Sequence, residues 1–312
     1  MAKLIMTVEE MQDRGKWLEA RRGGIGGSDA AAIVGLSPWK SAFALWLEKT
    51  GQAEPENLSE NERVYWGTQL EDLIAREFTK RTGKETRRRG LMANDDFPFL
   101  LASVDRLIVG EDAGLECKTS SFGKAWDGEE VPDSYYVQCL HYMLVTGAAR
   151  WYIAALIGGN RFVWKEVQRD EKDVAALLEA EKEFWRKVEA REMPPVDGTA
   201  SCTKALSERF RGGLPPIELP TEAGAMLAEL AELEAAGKRI DTQAEEIKNR
   251  FREMLGDAEE GIFRKGDELR RVLWRTQAGR ETLDGKRLKA ERPEVYAEYV
   301  KQGNPYRVFK IS

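Results

Sequence analysis

The chain has 312 residues, 42% apolar and 33% charged, enough for two domains and a sizeable core. This excludes a disordered tail, a collagen-like repeat and a disulfide-stapled miniprotein. Three cysteines (Cys117, Cys139, Cys202) without CxxC spacing and a single histidine, His141, exclude a disulfide framework, a structural zinc site and a His-rich metal centre, and argue against a Ser-His-Asp hydrolase.

The net charge of −6 conceals local contrast: residues 80–90 (KRTGKETRRRG) carry six basic side chains against one acid, and residues 261–312 carry thirteen against seven. No apolar run approaches the ~18 residues that span a bilayer. The first residues turn polar too soon for a signal peptide. These features point to a protein of a reducing compartment, with no membrane segment.

In chain order, the Gly-rich RRGGIGGSDAAAIVG reads as a loop feeding a helix capped by Ser28. A second helix is expected over Ser41–Lys49, stopped at Gly51. A long amphipathic one is expected over Glu60–Arg81, with Tyr65, Leu70, Leu73, Ile74 and Phe78 inward and Gly83 at its end. The period then changes. Phe99–Val109, Gly114–Thr119, Trp151–Ile157 and Phe162–Val167 read as strands, with helices over Ser134–Thr146 and Glu171–Arg191.

Five of the eleven prolines fall in Met193–Pro220, which reads as a linker. Beyond it, Met226, Leu230, Leu233, Gly237, Ile240, Ala244, Ile247, Phe251 and Met254 form a heptad seam on one long helix. A hairpin about Lys265-Gly266-Asp267, a helix over Leu283–Lys301 and a final strand YRVFKI complete the chain. The expected organisation is a core over 1–195, a linker over 196–220 and a helical and small β extension over 221–312. The fold class is α/β.

Chemistry concentrates at Asp105 and Glu116-Cys117-Lys118. If their strands form a hairpin about the Glu111-Asp112-Ala113 turn, Asp105 lies opposite Glu116, with side chains ~5 Å apart. Alternation puts Glu116 and Lys118 on one face and turns the Cys117 thiol away. Two carboxylates, an ammonium and the Cys117 backbone carbonyl suit Mg²⁺ or Mn²⁺. Such a centre fits metal-assisted phosphodiester hydrolysis.

Five stretches in one order, WLEARRGGIGGSDAAAIVG, GTQLEDLIAREF, ASVDRLI, LECKTS and YYVQCLHYMLVTG, resemble the YqaJ-type viral recombinases. These are relatives of phage lambda exonuclease within the PD-(D/E)xK nucleases, and the resemblance spans about residues 14–190. It implies a mixed sheet flanked by helices, Mg²⁺ at two sites with Mn²⁺ as substitute, and 5′-to-3′ digestion of one strand at double-stranded DNA ends. It further implies a homotrimer, a single-strand annealing protein as partner, and a phage or prophage origin in a bacterial cytoplasm.

By the same resemblance, Asp105 and Glu116 are metal ligands and Lys118 activates water. Glu71 binds metal or holds water, and Gln138 faces the site. Arg21 and Ser28 form a pocket for a 5′-terminal phosphate. Arg22 is an equal candidate for the arginine, since sequence does not separate the two. Gly23, Gly24, Gly26 and Gly27 would let backbone approach that phosphate, and Trp39 and Lys40 reach the DNA end. Val104 stands where the motif has proline. Two other readings share these residues: an endonuclease on the same core, and a non-catalytic DNA-binding or scaffold protein.

Overall fold

The computed structural model describes residues 2–58, 60–303 and 307–311. The chain divides into two compact units, Met1–Arg211 and Gly212–Ser312. The first contains β1 (Lys3–Met6), α1 (Arg14–Arg22), β2 (Ile25–Gly26), α2 (Gly27–Ile33), α3 (Ala42–Lys49) and α4 (Glu62–Thr82). Five strands follow, β3 (Thr86–Arg87), β4 (Leu91–Ala93), β5 (Leu100–Ala102), β6 (Arg106–Ile108) and β7 (Ala113–Ser120). Then come α5 (Asp133–Thr146), β8 (Arg150–Ile157), β9 (Arg161–Gln168), α6 (Glu171–Ala190) and α7 (Ala200–Arg209).

The strands form two sheets. One is mixed, in the order β3-β6-β7-β8-β9, and parallel only between β7 and β8, which α5 connects. The other has the order β1-β4-β5-β2. On one face of the mixed sheet, Ile74, Ala75 and Phe78 of α4 pack against Ile108, Leu115, Tyr152 and Ala154. The main core gathers α2, α3, α5 and α6 around residues such as Phe43, Trp46, Met143 and Trp151. The architecture is the expected α/β one, a mixed sheet with helices on its faces.

Several expectations are corrected. The Phe99–Val109 strand is two strands in different sheets, because the chain crosses between them at Ser103–Asp105. There the Asp105 side chain, rather than a backbone carbonyl, accepts the Cys117 N–H at 2.7 Å, which ends the ladder. Tyr65 and Leu73 of α4 are exposed; the seated face is one turn narrower than the pattern suggested. Ser28 is not a cap: α2 starts at Gly27, and the Asp29 carboxylate accepts the Gly26 N–H at 3.0 Å. The expected linker over 196–220 contains α7, which buries Cys202 and Ala205, and Ser201 accepts the Ser41 N–H at 3.1 Å.

The second unit holds α8 (Ala223–Leu255), the antiparallel pair β10 (Glu260–Lys265) and β11 (Glu268–Leu273), α9 (Gly285–Glu291) and α10 (Pro293–Tyr299). The long heptad helix and the hairpin are as expected. Helix α8 runs unbroken through Gly237, and Met226, Leu233, Ile240, Ile247, Phe251 and Met254 of its seam are exposed. The single helix over Leu283–Lys301 is two short ones, since Pro293 cannot continue the first. Of the final strand YRVFKI, Tyr306 lies outside the described residues and 307–311 form no strand.

Candidate active site

The pairs Arg106–Leu115 and Leu107–Gly114 set the β6/β7 register, and continuing it puts Asp105 opposite Glu116. On β7 the side chains alternate as expected. Cys117 packs with the α4 cluster, while Glu116 and Lys118 face α5. The Lys118 ammonium bonds Glu116 Oε1 at 2.6 Å and lies 4.9 Å from the centre of the Tyr135 ring. Gln138 Nε2 donates to the same Oε1 at 2.8 Å, and also contacts the Tyr142 hydroxyl at 2.8 Å.

Glu116 is buried, and its second oxygen, Oε2, has no hydrogen-bond partner. A bare buried carboxylate oxygen is costly. Asp105 is under related stress: burial, then the charges of Glu116 and Glu71, push its carboxyl well above the usual carboxylate range. Burial alone would lower the Lys118 ammonium, but Glu116 and Asp105 outweigh it and raise it above its ordinary value. Two crowded carboxylates with one orphaned oxygen are hard donors short of positive charge, which fits a divalent cation.

Glu71 arrives differently from the sequence expectation. It is ion-paired to Arg106, whose guanidinium also bonds the Asp105 carbonyl and Asp72. Among the described residues, no three His, Cys, Asp or Glu side chains are gathered as a metal cage. The donors that do converge are Asp105 and Glu116, with the Cys117 backbone held beside Asp105 by its N–H bond. Arg106 was missed by sequence reasoning. Its only signal was its place next to Asp105, inside an apolar strand.

The second cluster is built around Arg21. Its Nη2 bonds Ser28 Oγ at 2.8 Å and Asp29 Oδ1 at 3.3 Å, and its guanidinium lies 5.0 Å from the centre of the Trp17 ring. Lys49 pairs with Asp29 at 2.9 Å and donates to the Arg21 carbonyl at 2.8 Å. Burial would raise Asp29, but Lys49 and Arg21 hold its carboxyl far below the usual range. Asp29 and Lys49, which orient the arginine, were also missed.

Arg22 points elsewhere, to Glu54 at 3.3 Å, so the fold separates two residues that the sequence could not. Lys40 is paired with Glu48 at 2.7 Å, and Trp39 stands exposed. The glycines serve packing. A Cβ on Gly24 would meet the Phe99 carbonyl at 2.3 Å, and one on Gly27 the Tyr142 ring at 2.5 Å.

The Arg21 cluster opens on a cleft of about 120 Å³ whose lining includes Trp17, Arg21, Gly27, Ser28, Gln138 and Tyr142. Gln138 therefore touches both the Arg21 cleft and Glu116.

Comparison with known proteins gives a family and similar folds. A YqaJ-like viral recombinase domain matches residues 16–149. The chain is 39% identical over 318 aligned residues to "Uncharacterized protein YqaJ" of Bacillus subtilis (strain 168), with 99% of this chain and 97% of that protein covered. Among solved structures, an alkaline exonuclease (LHK-Exo) from Laribacter hongkongensis aligns with a TM-score of 0.48 and 18% identity, over 57% of this chain and 94% of that one. A putative exonuclease from Eubacterium rectale aligns with a TM-score of 0.45 and 14% identity, over 69% and 97%.

Proposed function

The chain belongs to the YqaJ-like viral recombinase family, and on that premise we propose that it is a Mg²⁺-dependent 5′-to-3′ exonuclease acting at the ends of linear double-stranded DNA. It degrades the 5′-ended strand and leaves 3′ single strands for annealing-type recombination. The observation that carries this reading is the bridge made by Gln138, which lines the Arg21 cleft and bonds Glu116. Gln138 and Tyr142 join the Asp105/Glu116/Lys118 cluster to the Arg21/Ser28 anion pocket, an arrangement suited to an enzyme that engages a terminal phosphate beside the bond it cuts.

The chain's own residues divide the work. Arg21 and Ser28 bind the 5′-phosphate, an arginine fork and a hydroxyl being well matched to its oxygens. Gln138 and Lys118 both hold Glu116 Oε1, which keeps Oε2 free toward the site. Lys118, bonded to Glu116 Oε1, orients water and the phosphodiester as a hydrogen-bond donor. Mg²⁺, held by Asp105, Glu116 and the Cys117 carbonyl with Glu71 nearby, would supply charge to stabilise the phosphodiester as negative charge develops. A homotrimer and a single-strand annealing partner belong to the same proposal.

The test is digestion of a linear 5′-phosphorylated duplex with Mg²⁺, beside a covalently closed circle and the Lys118→Ala chain. The expected result is loss of the linear strand from its 5′ end, an intact circle, and an inactive variant that still binds DNA. Cutting of the circle would make the protein an endonuclease. DNA binding without Mg²⁺-dependent product would make it a binding protein.

A further inference from the structure

The basic run at 80–90 has no part in the site described above, yet it borders a second and larger depression. This one measures about 410 Å³ and lies where α4 meets β3 and β6, lined by Asp72, Arg76, Thr86, Arg88 and Arg106. Three guanidiniums face it against one carboxylate. Arg106 is buried and is the same side chain that bonds Glu71 and the Asp105 carbonyl. Arg88 bonds both Asp72 oxygens at 2.8 Å, but its side chain remains 54% exposed. Arg76 donates to the Asp72 carbonyl at 3.3 Å and is paired with no carboxylate among the described residues.

Asp72 pairs with Arg88 and Arg106, and Glu71 pairs with Arg106 as well, which leaves Arg76 as the uncompensated charge among the described residues; planar guanidinium forks match phosphate oxygens. Arg106 links the depression to the candidate site, since its guanidinium bonds Glu71 and the Asp105 carbonyl. The depression lies on the α4 side of β7, whereas the Arg21 cleft lies toward α5.

We propose that the depression is a second phosphate-binding site, taking a phosphodiester of the DNA backbone away from the 5′ end held by Arg21. The proposal rests on the nuclease reading of the adjoining site. Arg76 and Arg88 contact the backbone without reading sequence, while the buried Arg106 holds Asp72 in place, so the site adds affinity and register on the duplex.

The test measures duplex binding by fluorescence anisotropy across a salt series, in EDTA so that no strand is cut, with 5′-phosphate and 5′-hydroxyl oligonucleotides. The chains compared are wild type, Arg76→Gln, and Arg76→Gln/Arg88→Gln. Each lost phosphate contact lowers the slope of log affinity against log salt by about 0.9. The expected drop is therefore about 0.9 for the single and about 1.8 for the double variant. The preference for 5′-phosphate should be unchanged in both. An unaltered slope, or a loss confined to 5′-phosphorylated DNA, overturns the proposal. Digestion by wild type is scored separately: a falling slope without wild-type cutting refutes the nuclease reading and leaves the phosphate site, and cutting with an unaltered slope does the reverse.

Discussion

Asp29 anchors the candidate phosphate pocket, and replacing it with asparagine tests that role directly. The Asp29 side chain is 7% exposed and Lys49 is 6% exposed, so their 2.9 Å pair is shielded from water, while Arg21, the outer partner, is 25% exposed. Removing one member of a buried pair leaves the other charge uncompensated, at a cost of about 3–5 kcal/mol. Asparagine can still accept the Gly26 N–H, and Lys49 keeps the Arg21 carbonyl, so Asp29→Asn should cost about 3 kcal/mol, near the lower limit. Urea unfolding followed by fluorescence of the buried Trp46, Trp126 and Trp151 reads this loss. Adding Lys49→Met removes the stranded ammonium and should recover most of it. A single variant costing less than about 1 kcal/mol, or a double variant with no recovery, would refute a charge-dependent anchor.

Three further outcomes are expected. Arg21→Ala should slow digestion of 5′-phosphorylated ends at least tenfold more than 5′-hydroxyl ends, whereas Arg22→Ala should not discriminate; equal slowing of both ends by Arg21→Ala would remove the pocket. Gly27→Ala forces its Cβ into the buried Tyr142 ring and should destabilise by about 1–3 kcal/mol while disturbing Gln138, so an unchanged melting temperature and cleavage rate would contradict that packing. His141 lies between two acceptors, Glu181 Oε1 at 2.7 Å and the Leu101 carbonyl at 2.9 Å, an arrangement that only the doubly protonated ring satisfies. Burial would lower its pKa, but Glu181 outweighs this and raises it above 6.5. Its stabilisation is therefore full below that ordinary value and lost as pH rises through the higher folded-state one. His141→Gln should flatten the decline in stability that urea unfolding records as pH rises above the ordinary histidine value, and a variant declining as steeply as wild type would count against the pair.

The residues legible in the sequence are those whose placement follows from local periodicity. Strand alternation and the β6/β7 turn put Asp105 opposite Glu116, with Lys118 on the same face and Cys117 on the other, because a hairpin register needs only a dozen residues. The α4, α5, α6 and α8 helices follow from their apolar spacing and from stops such as Gly83 and Gly147. Tertiary structure decided what local patterns do not encode. Arg21 and Arg22 are neighbours of the same chemistry, and only the positions of Asp29 and Glu54 turn one into the cleft and the other out of it. Glu71 is a candidate ligand by resemblance alone, and only the fold brings Arg106, distant in sequence, into an ion pair with it. The bridge from Glu116 through Gln138 to the Arg21 cleft joins β7, α5 and α2. Its members approach only when the sheets and helices close on a common core, a long-range condition that no spacing along the chain expresses.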